Sequence, residues 1–252
     1  MQTMILTEHL NKHFGANLAV DNLDLDIPAG TFFCFLGPNG AGKTTTIKML
    51  TGLLHPSSGR ALLGGYDIQK QAVEAKRLLG YVPDHPFLYD KLTGNEFMRF
   101  VAGLYLMAPR DFDARCAPLL EMFELAHVAD QLIEDYSHGM RQKLSFASCF
   151  LHDPKIVIVD EPWVGLDPKN IRFVKDFLRR KCREEGLTVF MSTHTLSIAE
   201  EVADQIGIIH NGRLLQLGSV AEIKALSRRP GSLEDVFLEI TREAGDEENA
   251  AP

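Results

Sequence analysis

The spacing of apolar residues divides the chain into three parts. Residues 23–27 alternate leucine or isoleucine with aspartate, which predicts a strand with one solvated face. Residues 31–36 (TFFCFL) are almost continuously apolar, as is typical of a strand buried on both faces. From about 93 to 151 the apolar residues recur at helical spacing, and no strand pattern appears. The middle of the chain is therefore predicted to be a helical insertion between two strand-rich parts.

The last part of the chain alternates strand and helix patterns, which favours βα units and a parallel sheet. Asn211-Gly212 stands between two short apolar pairs and predicts a two-residue hairpin turn. The final ten residues are small and acidic, and we expect a frayed tail there. The predicted strands are 156–160, 187–192 and 206–209, and the predicted helices are 43–53, 171–184 and 196–203.

Composition narrows the class of protein. Of 252 residues, 45% are hydrophobic and 24% are charged, which excludes a disordered chain. The net charge of −8 argues against a nucleic-acid partner at the level of the whole chain. The four cysteines are far apart without a Cys-x-x-Cys pair, and we expect reduced thiols in a cytosolic protein. His9 and His13 are expected to precede a strand, which makes them poor metal ligands. No secretory signal or spanning segment is visible, since the most apolar stretch, 97–108, contains Arg99.

A glycine-rich loop follows the first buried strand and precedes a helix. Its sequence fits G-x-x-x-x-G-K-[ST], in which backbone N–H groups and a helix N-terminus cradle phosphates. Lys43 is predicted to reach the β- and γ-phosphates, and the Thr44 hydroxyl to bind Mg²⁺. An ordinary glycine turn before a helix is the alternative. The predicted nucleotide-binding residues of this loop are Gly37, Pro38, Asn39, Gly40, Ala41, Gly42, Lys43, Thr44 and Thr45.

Two carboxylates end the predicted buried strand at 156–160. The carboxyl ends of strands are where ligands bind in open α/β sheets. We expect Asp160 to hold Mg²⁺ and Glu161 to act as the general base on the attacking water. A solvated acidic turn is the alternative, and the glycine-rich loop in the same chain weakens it.

Ser137 begins a predicted helix and is a suitable N-cap. The N-terminus of that helix is either a second phosphate-binding site or simply a capped helix end. The spacing of residues alone leaves both interpretations open.

The order of the motifs resembles that of the ATP-binding subunits of ABC transporters. The resemblance rests on GPNGAGKTT (37–45), YSHGMRQ (136–142), IVIVDEP (156–162), GLDP (165–168) and STH (192–194). It implies an α/β fold: a P-loop NTPase core with a parallel sheet, an antiparallel β layer and an inserted helical subdomain. It also implies one ATPase domain over about 3–240, within 1–252. Its parts would be a core (1–84 and 153–226), a helical subdomain (85–152) and a short C-terminal helix with an acidic tail (227–252).

The same resemblance implies roles for residues that the spacing cannot assign. Phe14 matches the aromatic residue that stacks on adenine, although a core aromatic at a strand edge is the alternative. Ser137 and Gly139 match signature residues that bind the γ-phosphate held by the opposite subunit. Asp167 matches a residue that crosses the dimer interface. His194 matches the histidine that contacts the γ-phosphate, a catalytic role that it would share with Glu161 and Lys43.

Two motifs depart from the family pattern. Tyr136, His138 and Met140 replace the leucine, first glycine and glutamine of the usual LSGGQ signature. Asp84 stands where the family has a glutamine in the loop after Tyr81-Val82-Pro83. Its carboxylate is shorter and charged, and it could still bind Mg²⁺ or water. An acid at this place and the segment LTGNE (92–96) are similar to the exporter branch of the family.

The resemblance implies a transport ATPase with ATP and Mg²⁺ as cofactors. Its partners would be an integral membrane permease and a second nucleotide-binding subunit, in a homodimer or heterodimer. The chain would then be cytoplasmic, bound to the inner face of the cytoplasmic membrane through the permease. Two alternatives are a soluble ABC-type ATPase acting on nucleic acid or ribosomes and a nucleotide-gated regulatory subunit that is not coupled to transport.

Overall fold

The computed structural model describes residues 2–163, 166–226 and 232–250. Gly165, the first residue of the predicted GLDP motif, lies outside the described residues. Two sheets organise the fold, and they contain ten strands in the described part of the chain.

The first sheet has four antiparallel strands in the order β2-β1-β4-β5. The alternation predicted at 23–27 is confirmed, since Leu23, Leu25 and Ile27 are buried and the two aspartates between them are exposed. The expectation that His9 and His13 precede a strand is wrong, because both lie within the first strand. The strands are β1 (Thr3–Phe14), β2 (Asn17–Pro28), β4 (Ser58–Leu63) and β5 (Tyr66–Asp67).

The second sheet has six strands in the order β10-β9-β3-β8-β7-β6. All neighbouring pairs are parallel except β9 and β10, which are joined by the predicted hairpin turn Asn211-Gly212. Every residue of β3 and β7 is buried, as their apolar runs predict. The strands are β3 (Phe32–Leu36), β6 (Leu79–Val82), β7 (Ile156–Asp160), β8 (Thr188–Thr193), β9 (Gln205–His210) and β10 (Arg213–Gly218).

Three of the helices, α3 to α5, lie between β6 and β7, where the helical insertion is predicted. Two short 3₁₀ turns at 126–128 and 133–135 join the second of them to the third. The sequence pattern did not reveal α2. The helices are α1 (Lys43–Leu50), α2 (Ala72–Leu78), α3 (Gly94–Leu104), α4 (Pro109–Met122), α5 (His138–Phe150), α6 (Pro168–Glu185), α7 (Leu196–Val202), α8 (Val220–Ala225) and α9 (Leu233–Ala250).

The expectation of a frayed acidic tail is wrong, because α9 continues to Ala250. Its start is fixed by Ser232 and Asp235, whose side chains each accept a hydrogen bond from the other's backbone N–H. Leu233 and Val236 are buried against the rest of the protein. Glutamate and alanine in the tail are good helix formers, so the helix continues once it has begun.

Apolar side chains fill both faces of the second sheet. Phe33 and Phe35 of β3 face the first sheet and surround Phe190, with ring centroids 5.2 and 5.4 Å from it. The opposite face carries Cys34, and its apolar cluster continues without a break into α3, α4 and α5. The division of the chain at 84/85 and 152/153 therefore stays a prediction. No helix in the described part of the chain is long and apolar enough to cross a membrane.

His152 stacks on Tyr105, and the pair joins the end of α5 to the end of α3. The ring centroids are 3.6 Å apart, and His152 Nε2 and the Tyr105 hydroxyl both donate to Leu79 O, at 3.1 and 3.3 Å. Burial lowers the pKa of His152 from 6.5 to about 4. The unfolded chain therefore binds a proton between pH 6.5 and pH 4 that the folded chain does not bind, so the folded state loses stability as the pH is lowered through that window.

We expect His152→Phe, which keeps the stacked ring, to remove this loss. Urea unfolding at pH 7.5 and pH 5 should show the wild type losing about 1–2 kcal/mol more than the variant on acidification. Equal losses in the two proteins would show that His152 titrates normally in the folded chain.

Candidate functional site

The carboxyl ends of β3, β7 and β8 meet at one edge of the second sheet, beside a cavity of about 540 Å³. Such an edge is the usual ligand site of an open α/β sheet. The lining comes from both sheets and from the glycine-rich loop. The lining residues are Phe14, Asn17, Leu18, Ala19, Asn39, Gly40, Gly42, Lys43, Thr44, Thr45, Asp84, Glu161, Asn211 and Gly212.

The glycine-rich loop has its shape because side chains are missing where the backbone must approach other backbone. Gly42 has a φ of 106°, and an added Cβ would lie 2.5 Å from Ala19 O. An added Cβ at Gly37 would lie 2.4 Å from Ile209 O. Gly42 is the N-cap of α1 and offers no side-chain cap, so the first N–H groups of the helix are available to an anion.

Lys43 is buried in the loop that it follows. Its Nζ donates to Gly37 O at 2.7 Å and to Pro38 O at 3.1 Å, and it lies 3.6 Å from Glu161 Oε1. Burial lowers the pKa of Lys43, whereas the carboxylates of Glu161 and Asp160 raise it. A buried ammonium group at the end of the glycine-rich loop is placed to bind an anion.

Asp160 is almost completely buried at the end of β7. One oxygen, Oδ1, accepts from the Ser192 hydroxyl at 2.5 Å, and the Thr44 hydroxyl lies near enough to lower the pKa of the carboxyl group. The other oxygen, Oδ2, is buried and has no hydrogen-bond partner. Burial raises the pKa of Asp160, the two hydroxyls lower it, and Asp84 and Glu161 raise it again. An orphaned carboxylate oxygen beside a hydroxyl is a suitable place for a hard cation.

Glu161 is held in a left-handed backbone conformation, with a φ of 44°. This conformation costs a residue with a side chain about 1–3 kcal/mol, and active sites are one of the places where it recurs. The Glu161 N–H donates to Ser192 O at 3.3 Å and to Ser192 Oγ at 3.2 Å. Glu161 Oε1 lies 3.0 Å from His194 Nδ1. The three predicted catalytic residues, Lys43, Glu161 and His194, are therefore neighbours.

Ser192 contacts both acidic residues, and the sequence pattern gave it no role. It is fully buried and bonds both to the Asp160 carboxylate and to the Glu161 backbone. It therefore fixes the two acidic residues relative to each other. Its position in the sequence could have indicated a role, because Ser192 lies two residues before His194 at the carboxyl end of a buried strand.

Phe14 and Asp84, two residues that the family resemblance singled out, also line the cavity. The Phe14 ring is half exposed at the end of β1, which does not fit a core aromatic, and Lys12 Nζ lies 5.1 Å from its centroid. Asp84 follows β6, and one of its oxygens lies 3.0 Å from His85 Nδ1. Both residues are positioned to contact a ligand in this cavity.

Ser137, Gly139 and Asp167 do not line the cavity. Ser137 is the N-cap of α5, where its Oγ accepts from the Met140 N–H at 3.3 Å. An added Cβ at Gly139 would meet no atom within 4 Å. Asp167 is the N-cap of α6, and the Asn170 N–H that bonds to it at 2.9 Å lowers its pKa. One copy of the chain therefore does not bring these residues to the cavity.

Two unusual signature residues have structural roles. The buried Tyr136 hydroxyl donates to Val128 O at 2.8 Å, and an added Cβ at Gly94 would lie 2.5 Å from it. Met140 packs against the apolar cluster. These contacts anchor the N-terminus of α5 to the preceding 3₁₀ turns.

The family described as ABC transporter matches residues 20–164, a span that contains the glycine-rich loop, Ser137 and both acidic residues. The chain belongs to the ABC transporter family. Within that family it is an ATP-binding subunit with ATPase activity.

Relatives and solved structures agree with this assignment. The chain is similar to the bacitracin transport ATP-binding protein BcrA of Bacillus licheniformis (36% identity, 91% of this chain and 74% of that protein). It is also similar to the daunorubicin resistance ATP-binding protein DrrA3 of Streptomyces coeruleorubidus (35% identity, 96% and 75%). A solved ATP-binding subunit of an ABC transporter superposes with a TM-score of 0.89 at 31% identity, covering 95% of this chain and all of the other. The predicted P-loop NTPase fold is thereby confirmed.

Proposed function

We propose that this ABC transporter subunit binds ATP with Mg²⁺ in the 540 Å³ cavity and hydrolyses it with Glu161 as the general base. The observation that carries the proposal is the orphaned Oδ2 of Asp160, buried beside the uncapped N-terminus of α1. An anion-binding helix end and an unpartnered carboxylate oxygen at the carboxyl end of β7 together suit a metal–polyphosphate ligand.

The residues fit Mg²⁺. No cluster of three or more His, Cys, Asp or Glu that could hold a metal occurs among the described residues. Such a cluster is not required, because proteins usually bind Mg²⁺ through one or two carboxylates together with substrate phosphates. Thr44, Asp160 and Asp84 would hold the ion, and its charge would neutralise the phosphate oxygens.

The chain's own residues would divide the remaining work. The α1 N–H groups and Lys43 would bind the phosphates, and Phe14 would stack on the base. Glu161 would take the proton of the attacking water. His194, which lies next to Glu161 Oε1, would orient that carboxylate and contact the γ-phosphate.

A second nucleotide-binding subunit would complete the site. Three predicted site residues lie outside the cavity of their own chain: Ser137, Gly139 and Asp167. The open space at Gly139 leaves room for a phosphate of a nucleotide that is bound to another chain. The simplest partner is a second copy in a head-to-tail dimer, where two identical sites form by symmetry.

The relatives support a role in transport. We infer that the chain drives export through a separate integral membrane permease, since the relatives above are described by transport of or resistance to antibiotics. It would act at the inner face of the cytoplasmic membrane. The net charge of −8 gives no support to a nucleic-acid partner.

Complementation between two inactive variants tests the shared site. Lys43→Ala damages the glycine-rich loop, with which a chain binds its own nucleotide. Ser137→Ala damages only the contact that the chain makes with the nucleotide bound by its partner. A mixed dimer has one intact site, so an equal mixture should recover up to about a quarter of the wild-type ATPase rate, since random pairing makes half of the dimers mixed.

Thr93→Ala is the matched control for Ser137→Ala. It removes the N-cap of another helix, α3, and should keep nearly full activity. A mixture no more active than the sum of its two variants would refute the shared site. Activity of Ser137→Ala alone equal to that of Thr93→Ala would refute the role of Ser137.

A further inference from the structure

The cavity is built from two separate sheets. Phe14 and residues 17–19 belong to the first sheet, whereas the glycine-rich loop follows β3 of the second. The first sheet ends at β2 and the second ends at β10, so each contributes an edge strand near the cavity. A nucleotide that contacts both sheets needs a fixed distance between them.

A series of hydrogen bonds connects the glycine-rich loop to β2 through the β9–β10 turn. The Gly212 N–H donates to Ala41 O of the glycine-rich loop at 2.9 Å. Gly212 O accepts from the Asp21 N–H of β2, also at 2.9 Å. Next to it, Arg213 Nε donates to Asp21 Oδ2 at 2.6 Å. We call this group, made of Asp21, Ala41, Gly212 and Arg213, the turn clasp.

The backbone segments around the turn clasp are closely packed. An added Cβ at Gly212, whose φ is 80°, would lie 3.0 Å from Ala19 O. An added Cβ at Gly42 would lie 2.5 Å from the same oxygen and 3.5 Å from Gly212 Cα. The glycine-rich loop, β2 and the turn therefore meet at one point, and a shift of the turn would move the loop relative to β2.

We propose that the turn clasp is a positioning element that sets the distance between the Phe14 ring and the glycine-rich loop. The proposal rests on the proposed function, because it assumes that the nucleotide base lies on Phe14 and the phosphates lie in the loop. ATP engages both sites at once and depends on their spacing. Inorganic tripolyphosphate engages the loop alone and does not.

The test compares these two ligands, each with Mg²⁺, by titration calorimetry on the full chain. Asp21→Asn and Arg213→Gln each remove the ion pair and keep a side chain of similar size. Since the Arg213 side chain is well exposed, each variant should weaken ATP binding by up to about fivefold and leave folding intact. Tripolyphosphate binding should be unchanged, and the double variant should lose no more than the larger single effect.

Glu8→Gln is the matched control. It removes the Glu8–Arg60 ion pair, which lies within the first sheet, and should change neither affinity. Equal losses for ATP and tripolyphosphate would show that the clasp merely supports the loop, and unchanged ATP affinity would show that it has no role. Either result would overturn the proposal. A wild-type chain that binds neither ligand would refute the proposed function itself, and the clasp with it.

Discussion

Replacing Glu161 with glutamine should leave ATP bound and slow hydrolysis by at least about 100-fold, the usual contribution of a general base. Glutamine has the same shape but cannot accept the proton of water. The neighbours of Glu161 fit this role: Oε1 lies 3.0 Å from His194 Nδ1, and the backbone is held by Ser192. Phosphate release and nucleotide affinity should be measured on the same preparation.

Glu201→Gln is the control for this variant. Glu201 pairs with Lys175 on the protein surface, so its loss should leave turnover unchanged. If Glu161→Gln turns over at the wild-type rate, Glu161 is not the base. If it no longer binds ATP, its role is in binding and the assignment is equally wrong.

Lys43→Ala should weaken ATP binding by at least about 100-fold, because a charge-assisted contact to phosphate is lost in a buried place. Only 6% of Lys43 is exposed, so its ammonium is largely shielded from solvent. Lys43→Met keeps most of the buried stem without the charge, and it separates the loss of the charge from the effect of a cavity. Both variants should lose affinity in a titration with a fluorescent ATP analogue.

Lys48→Ala is the control on the same helix. Lys48 is exposed, and its loss should leave affinity unchanged. Binding of ATP by Lys43→Met with wild-type affinity would mean that the glycine-rich loop holds the phosphates without Lys43. If Lys43→Ala alone lost affinity, a packing defect would be the cause and the charge would have no role.

The parts of the fold that local pattern determines were predictable. The fully buried β3 and β7 stand out as apolar runs, and the Asn211-Gly212 turn follows from two residues. β1 was missed because its pairing shifts register between Thr7 and Leu10, and His9 has a φ of 47°, so the alternation is interrupted. The helical end of α9 was missed because acidic composition alone does not show that Leu233 and Val236 are buried.

The site, like the fold, has features that the sequence reveals and features that it does not. The glycine-rich loop and the pair Asp160-Glu161 are contiguous motifs, so their chemistry is visible in the sequence. The bonds that Ser192 makes to these acids join residues about thirty positions apart, and the Asp21–Arg213 pair joins residues 192 apart. Such contacts depend on strand order, which the periodicity of one chain does not reveal.

Hydrolysis requires ATP to bring two chains together, because the residues that we assign to the partner lie outside the cavity of their own chain. The most direct test is the mass of Glu161→Gln measured by light scattering with MgATP and with MgADP. We predict twice the mass of one chain with MgATP and the mass of one chain with MgADP. A variant that binds MgATP fully and remains at the mass of one chain would contradict the account.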